Sequence, residues 1–226
     1  MSIETVLFDA GNTLVEIDYA YVARAIVHAG GDATADDVRR AERRARVPLD
    51  AYLAGAPTES PEVFRHYVGL VFDGLLGRPP REPDMTFEAL AAYGNLWSVA
   101  DPDAAGVLLA LRESGYRLGV VSNSDGTVER ILKRLGLAEH LEVVVDSEIV
   151  GVQKPDPAIF RHALDALGAN ADRTIYVGDI PSVDVDGARA AGIRGVLMDP
   201  LGLWAEARTE PRLASLTDLP GLLASL

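Results

Sequence analysis

From residue 117 onward the chain alternates short apolar, largely β-branched runs with stretches of helical period. Runs at 118–121, 143–145, 175–177 and 196–198 are separated by helical patterns at 127–135, 158–167 and 185–191. Strands with almost no polar positions are covered on both faces, so this rhythm predicts a parallel sheet between layers of helices. The run at 3–8 belongs to the same sheet by the same criterion.

Residues 17–97 read differently. They show no strand-like alternation, are rich in helix formers, and are interrupted at Gly30-Gly31, Pro48, Ala56-Pro57 and Pro79-Pro80. Four helices are expected, at 18–29, 34–47, 60–77 and 84–96. The organisation expected is therefore an α/β core made of 1–16 and 98–226, with an inserted all-helical domain at 17–97. Such an insertion packs as its own layer above the carboxyl edge of the sheet. Open α/β sheets bind ligands there, so it is placed to act as a lid.

At 226 residues the chain can bury one substantial core and carry a smaller inserted domain. Its 48% apolar and 24% charged residues are the balance of an ordered globular protein. A net charge of -13 and only two lysines, Lys133 and Lys154, argue against a nucleic-acid partner. Arg39, Arg40, Arg43, Arg44 and Arg46 do cluster, but Asp36, Asp37 and Glu42 lie among them, which predicts a solvated helix face with internal ion pairs. The absence of cysteine excludes a disulfide framework, a thiol nucleophile and thiolate metal ligands. No leader-like opening and no apolar run of bilayer length is present, so the expectation is a cytoplasmic protein without a membrane partner.

Four segments carry candidate chemistry. The first is Phe8-Asp9-Ala10-Gly11-Asn12-Thr13-Leu14, where a strand delivers a carboxylate to a small-residue turn. Asp9 there suits covalent phosphoryl chemistry, because turn amides can cradle an oxyanion while the strand holds the attacking oxygen still; in isolation, such a stretch also serves simply to start a loop. The second, Val121-Ser122-Asn123-Ser124-Asp125, brings a hydroxyl and an amide to the same edge. Ser122 is a donor for phosphate and Asn123 a brace for the loop, while Ser124 or Asp125 is expected to cap the next helix. The third, Gly151-Val152-Gln153-Lys154-Pro155-Asp156-Pro157, holds a lysine between prolines at a helix start, with Asp156 as its cap. Lys154 reads either as a placed cation or as a surface lysine. The fourth, Val177-Gly178-Asp179 followed by Asp184, offers hard oxygen ligands of the kind Mg²⁺ takes, Asp179 directly and Asp184 directly or through water. Asp186 reads as a first-turn partner of the helix dipole. Tyr19, Tyr21, His28, Arg65, His66 and Tyr67 read as exposed helix-face residues of the insertion, and His140 and His162 as structural.

In order, Asp-x-Gly-x-Thr, the strand ending Ser-Asn, Gly-x-x-Lys-Pro-Asp-Pro and Val-Gly-Asp with a later Asp before Gly-Ala resemble the haloacid dehalogenase-like hydrolase superfamily. The resemblance implies a Rossmann-like core with a mobile helical cap, and Mg²⁺-dependent hydrolysis of a small phosphorylated metabolite. It implies that Asp9 attacks phosphorus, that Mg²⁺ sits among Asp9, the Gly11 carbonyl and Asp179 with Asp184 in support, and that Ser122 and Lys154 hold phosphate oxygens. Thr13 supports the first loop, and Asn123 completes the phosphate-binding set. One position departs from the pattern. Phosphatases of this family have Asp where Gly11 stands, to protonate the leaving oxygen and then activate water. Three readings follow: a phosphatase whose acid is displaced or whose substrates need little protonation; a metal-independent 2-haloacid dehalogenase; or a phosphate-binding protein that has lost catalysis. The expected cap contains no lysine, which disfavours phosphonate chemistry through a cap Schiff base.

Overall fold

The first apolar run becomes β1 (Thr5–Phe8), all four residues of which are buried. The computed structural model describes residues 2–28, 31–54, 61–76 and 96–226. β1 lies inside a six-stranded sheet with β4 (Arg117–Ser122), β5 (Val143–Asp146), β6 (Thr174–Gly178), β7 (Arg194–Met198) and β8 (Arg212–Leu213). The order is β5-β4-β1-β6-β7-β8, and every described pairing is parallel. From β1 the chain builds outward through β4 and β5, then returns to β6 on the other side of β1. That reversal opens a crevice at the carboxyl ends of β1 and β6, the place where open α/β sheets bind ligands. Phe8 is level with both Val120 and Val177, so the exits of β1, β4 and β6 share one edge.

The connections are α4 (Ala104–Glu113), α5 (Val128–Arg134), α6 (Ser147–Val150), α7 (Pro157–Leu167), α8 (Asp186–Ala190) and, at the end, α9 (Leu219–Ser225). α7 follows its sequence signals closely. Pro157 occupies the first turn, the Asp156 carboxylate accepts from Ala158 N at 2.8 Å, and Gly168 closes the helix at φ 60°. Ile159, Phe160, Ala163, Leu164 and Leu167 recur at helical spacing and pack on Leu7, Val121, Val145 and Tyr176 of the sheet. Each such fully buried Leu, Ile or Phe stabilises the layer by about 1.5–3 kcal/mol. α5 departs from expectation, because its free amide at Val128 is taken by the Asp146 carboxylate at 3.3 Å and not by Ser124 or Asp125. A carboxylate at the end of the neighbouring strand reaches the helix start better than the loop's own side chains.

Two compact units divide the chain, one of residues 1–15 and 100–226, the other of residues 16–99. The second contains α1 (Tyr19–His28), α2 (Ala35–Leu53) and α3 (Pro61–Leu76), entered and left through the paired strands β2 (Val15–Ile17) and β3 (Trp97–Ala100). The helix expected at 84–96 lies outside the described residues. No helix among the described residues is long and apolar enough to cross a membrane. α2 opens on a reciprocal Thr34/Asp37 capping box and runs through Pro48 to Leu53, longer than the expected 34–47. Pro48 and Arg44 lie on the exposed face, so the carbonyl that a proline leaves without a donor can be hydrated.

The arginine cluster is a solvated face only in part. Arg39 pairs with Asp36 and Arg40 with Asp37 at the surface. Glu42 and Arg46 are instead buried, with Arg46 Nε and Nη2 each donating to the Glu42 carboxylate at 2.8 Å. Tyr19 and Tyr67, expected on an exposed face, are buried too and donate to Glu42 at 3.3 and 3.1 Å. Burial, then the Glu42 charge, pushes the Tyr19 phenol well above its ordinary range, so it stays a donor. Glu42 thereby joins α1, α2 and α3. Glu42→Ala removes the carboxylate that Arg46, Tyr19 and Tyr67 all contact and is expected to lower stability by about 3–5 kcal/mol, read from urea or thermal unfolding.

Candidate active site

β1 delivers Asp9 buried at the sheet edge, with its amide donating to Val177 O of β6 at 2.8 Å. The chain then turns at once: Leu14 N and Val15 N both return to Ala10 O, at 3.0 and 2.9 Å, and Asn12 N meets Val15 O at 2.7 Å. Asn12 adopts a left-handed φ of 55°, a conformation Asn tolerates better than most residues with a side chain. Thr13 is buried by this turn, and its Oγ1 has no hydrogen-bond partner among the described residues. Ser122, at the exit of β4, is buried, with its Oγ 3.3 Å from Asn123 O.

Asn123 grips the lysine loop from both sides of its amide. Its Nδ2 donates to Lys154 O at 3.0 Å, and its Oδ1 accepts from Lys154 N at 2.7 Å. These two contacts fit bracing, the first of its two expected roles. Lys154 is no surface lysine: it is buried, and Nζ donates to Asp9 Oδ1 at 2.7 Å, Asp184 Oδ1 at 2.7 Å and Tyr176 Oη at 2.9 Å. Lys133 is the exposed one, paired with Glu129. α8 reinforces the loop from behind. A Cβ on Gly187 would lie 3.0 Å from Pro155 Cα, so a glycine there lets the helix approach the Lys154-Pro155 backbone.

Asp184 sits in a π-helical turn, Pro181–Val185, that bulges the chain between β6 and α8. Its Oδ2 accepts from Asp179 N at 3.0 Å and Ile180 N at 2.9 Å, while Oδ1 takes Lys154. The carboxylate lies where a side chain on Gly178 would be, 2.4 Å from the Cβ position. Gly178→Ala must therefore displace Asp184 or the strand end. A loss of about 1–3 kcal/mol is expected, read from thermal melts.

Carboxylate oxygens of Asp9, Asp179 and Asp184 lie within 4.8 Å of one another, all three residues buried. Burial pushes the Asp9 carboxyl up to about 6; Lys154 pulls it down and Asp184 adds to the rise. Burial opposes the Lys154 charge, but Asp184 and Asp9 outweigh it and hold the ammonium above its ordinary range. Three carboxylates less one ammonium leave an excess of two negative charges among these four side chains. All-oxygen donors, that excess and the unsatisfied Thr13 hydroxyl fit a hard divalent cation and a phosphate, and Mg²⁺ suits the donor set.

Asp9, Ser122, Asn123, Lys154, Asp179 and Asp184 thus stand at one edge of the sheet, with Gly11 and Thr13 in the turn after β1. Asp186 faces outward, paired with Arg208 at 2.7 Å and Arg189 at 3.1 Å. His140 lies beside Glu139, apart from this group, and His162 is exposed on α7. Tyr176 is an addition, since a tyrosine inside an apolar strand reads as core. Its only sequence signal is a hydroxyl three residues before Asp179 on a strand already assigned to the site.

The chain belongs to the haloacid dehalogenase-like hydrolase family: a family model of that description matches residues 3–192. It is 38% identical over 130 residues to haloacid dehalogenase-like hydrolase domain-containing protein 3 of Danio rerio, covering 56% of this chain and 53% of that one. It is 44% identical over 98 residues to phosphoglycolate phosphatase of Rhodospirillum rubrum, covering 43% of this chain and 40% of that one. The chain thus spans about half or less of the length of these curated relatives. Among solved structures, a 2-haloacid dehalogenase from Pseudomonas syringae superposes with a TM-score of 0.58 at 26% identity, covering 99% of both chains.

Proposed function

We propose that this protein hydrolyses small-molecule phosphate esters or anhydrides with Mg²⁺, through an aspartyl-phosphate on Asp9, and favours substrates whose leaving groups need little protonation. The observation that carries the reading is the buried contact of Lys154 with both Asp9 and Asp184, beside Asp179, at the crevice between β1 and β6. Asp9 attacks phosphorus, the bond to the leaving oxygen breaks with its electron pair, and water later cleaves the acyl phosphate to release inorganic phosphate and restore Asp9. Lys154 compensates charge on Asp9 and Asp184 and keeps Asp9 ionised against its burial. Ser122, Thr13 and the turn amides are the donors for phosphate oxygens, with Asn123 acting through the Lys154 loop. Mg²⁺, held by Asp9, Asp179 and the Gly11 carbonyl with Asp184 in direct or water-mediated support, would offset the repulsion between an anionic phosphate and the attacking carboxylate. The helical unit is proposed as the cap that selects the substrate.

Gly11 sets the selectivity. It has no side chain to protonate a departing oxygen, so an acyl or aryl phosphate, whose leaving group is stable as an anion, suffers least. The test is a panel of alkyl, aryl and acyl phosphates with Mg²⁺, run beside Asp9→Asn. Turnover that needs Mg²⁺, disappears in the variant and falls as leaving-group basicity rises is expected. Chloride release from 2-haloacids in the presence of a chelator would instead point to dehalogenation.

A further inference from the structure

Tyr176 lies within β6, wholly buried, its ring edge-on to Phe160 of α7 with centroids 4.9 Å apart. Packing alone would be served by a phenylalanine. The hydroxyl instead donates to Val121 O of β4 at 2.8 Å and accepts from Lys154 Nζ at 2.9 Å, with Asp184 Oδ1 3.3 Å away. A phenol has one proton to give, and giving it to the carbonyl leaves its lone pairs for the ammonium. An ammonium has three protons, and Asp9 Oδ1, Asp184 Oδ1 and Tyr176 Oη each stand within hydrogen-bond reach of it. The Asp9 carboxylate ends a side chain that turns about its own bonds, and Asp184 is held at its Oδ2 by the amides of Asp179 and Ile180. The third is tied to the sheet backbone through Val121.

We propose that Tyr176 is a positioning residue: by linking the Lys154 ammonium to the Val121 carbonyl, it fixes Lys154 on Oδ1 of Asp9 and so leaves Oδ2 to face phosphorus. This rests on the reading of Asp9 as the nucleophile. A lysine stem is long and flexible, and without the hydroxyl the ammonium can shift between the two carboxylates or share both oxygens of Asp9. Either change blurs which oxygen attacks, while leaving phosphate donors such as Ser122 in place. The expected signature is a loss in turnover with little change in apparent substrate binding.

The chain offers a direct readout, because it has two lysines only, and Lys133 is 65% exposed at its side chain. In metal-free protein labelled with ¹⁵N-lysine, the Nζ protons of wild-type Lys154 are expected to exchange with solvent far more slowly than those of Lys133. Tyr176→Phe keeps the ring, and is expected to lose that protection and to lower kcat about 10- to 100-fold with KM within about twofold, the scale of one hydrogen bond to a charged group. Fast exchange at Lys154 in the wild type would overturn the proposal without any variant being made. So would a Tyr176→Phe protein with protection intact, or one with protection lost and kcat unchanged. Should the wild type turn over no phosphate ester, a Tyr176-dependent protection of Lys154 would still establish the tie, while the hydrolase reading would fail by itself.

Discussion

Lys154→Met is expected to abolish turnover and to destabilise the protein more than any surface change. The variant keeps the stem's bulk but leaves Asp9 and Asp184 buried without the ammonium that now contacts both at 2.7 Å. Breaking a buried pair by removing one partner costs about 3–5 kcal/mol. Its pH dependence has a definite sign. The Asp9 carboxyl is already raised from 3.8 to about 6 by burial, with Lys154 restraining the rise, so losing Lys154 lifts it further. A carboxyl with a raised folded-state pKa binds its proton more tightly folded than unfolded, so stability falls as pH rises through that interval. Melting temperatures should therefore show the variant's deficit growing from about pH 4 to above pH 6 and shrinking on acidification. A deficit independent of pH would mean that the lost stem contacts, and not the lost charge, cause it. Turnover should fall by at least about 10²–10³-fold, the usual scale for removing one electrostatic stabiliser from a reaction site.

Gly11→Asp is the second large effect, in the opposite direction. Gly11 lacks the positive φ that many glycines of this chain adopt, so an aspartate there meets no left-handed backbone penalty. It would restore a proton donor for the leaving oxygen and a base for water. General acid–base assistance is worth about 10²–10⁴-fold, and that gain is expected on alkyl phosphates, with far less on acyl or aryl phosphates. The measurement is kcat/KM across leaving groups of graded basicity for both proteins, and the dependence should flatten in the variant. A uniform gain would contradict the leaving-group selectivity, and no gain together with tight binding of a phosphate analogue would favour a binding protein over a hydrolase.

What the sequence made legible follows from which forces act locally. The strands were readable because β1, β4 and β6 are buried on both faces and contain almost nothing polar. The carboxylates and Lys154 were readable because each sits where a strand or a proline-bounded loop ends. Tyr176 was not, since its hydroxyl acquires a role only when β4 and β6 bring Val121 and Lys154 to it across 55 and 22 residues. Glu42 and Arg46 show the same limit from the other side. An i,i+4 ion pair looks identical in sequence whether exposed or buried, and what buried this one was the arrival of Tyr19 and Tyr67 from other helices. Pro48 failed to end α2 because its position on the exposed face made the missing hydrogen bond tolerable. β2, β3 and β8 are two to four residues long, too short for periodicity to register.

Asp9 is expected to carry the phosphoryl group during turnover. Acid quenching during turnover of an acyl or aryl phosphate with Mg²⁺, followed by peptide mass analysis, tests it most directly. One phosphoryl group is expected on the peptide containing Asp9, absent without Mg²⁺ and absent in Asp9→Asn. Phosphate release that proceeds with no phosphoryl-enzyme trapped, or at an unchanged rate in Asp9→Asn, would contradict it.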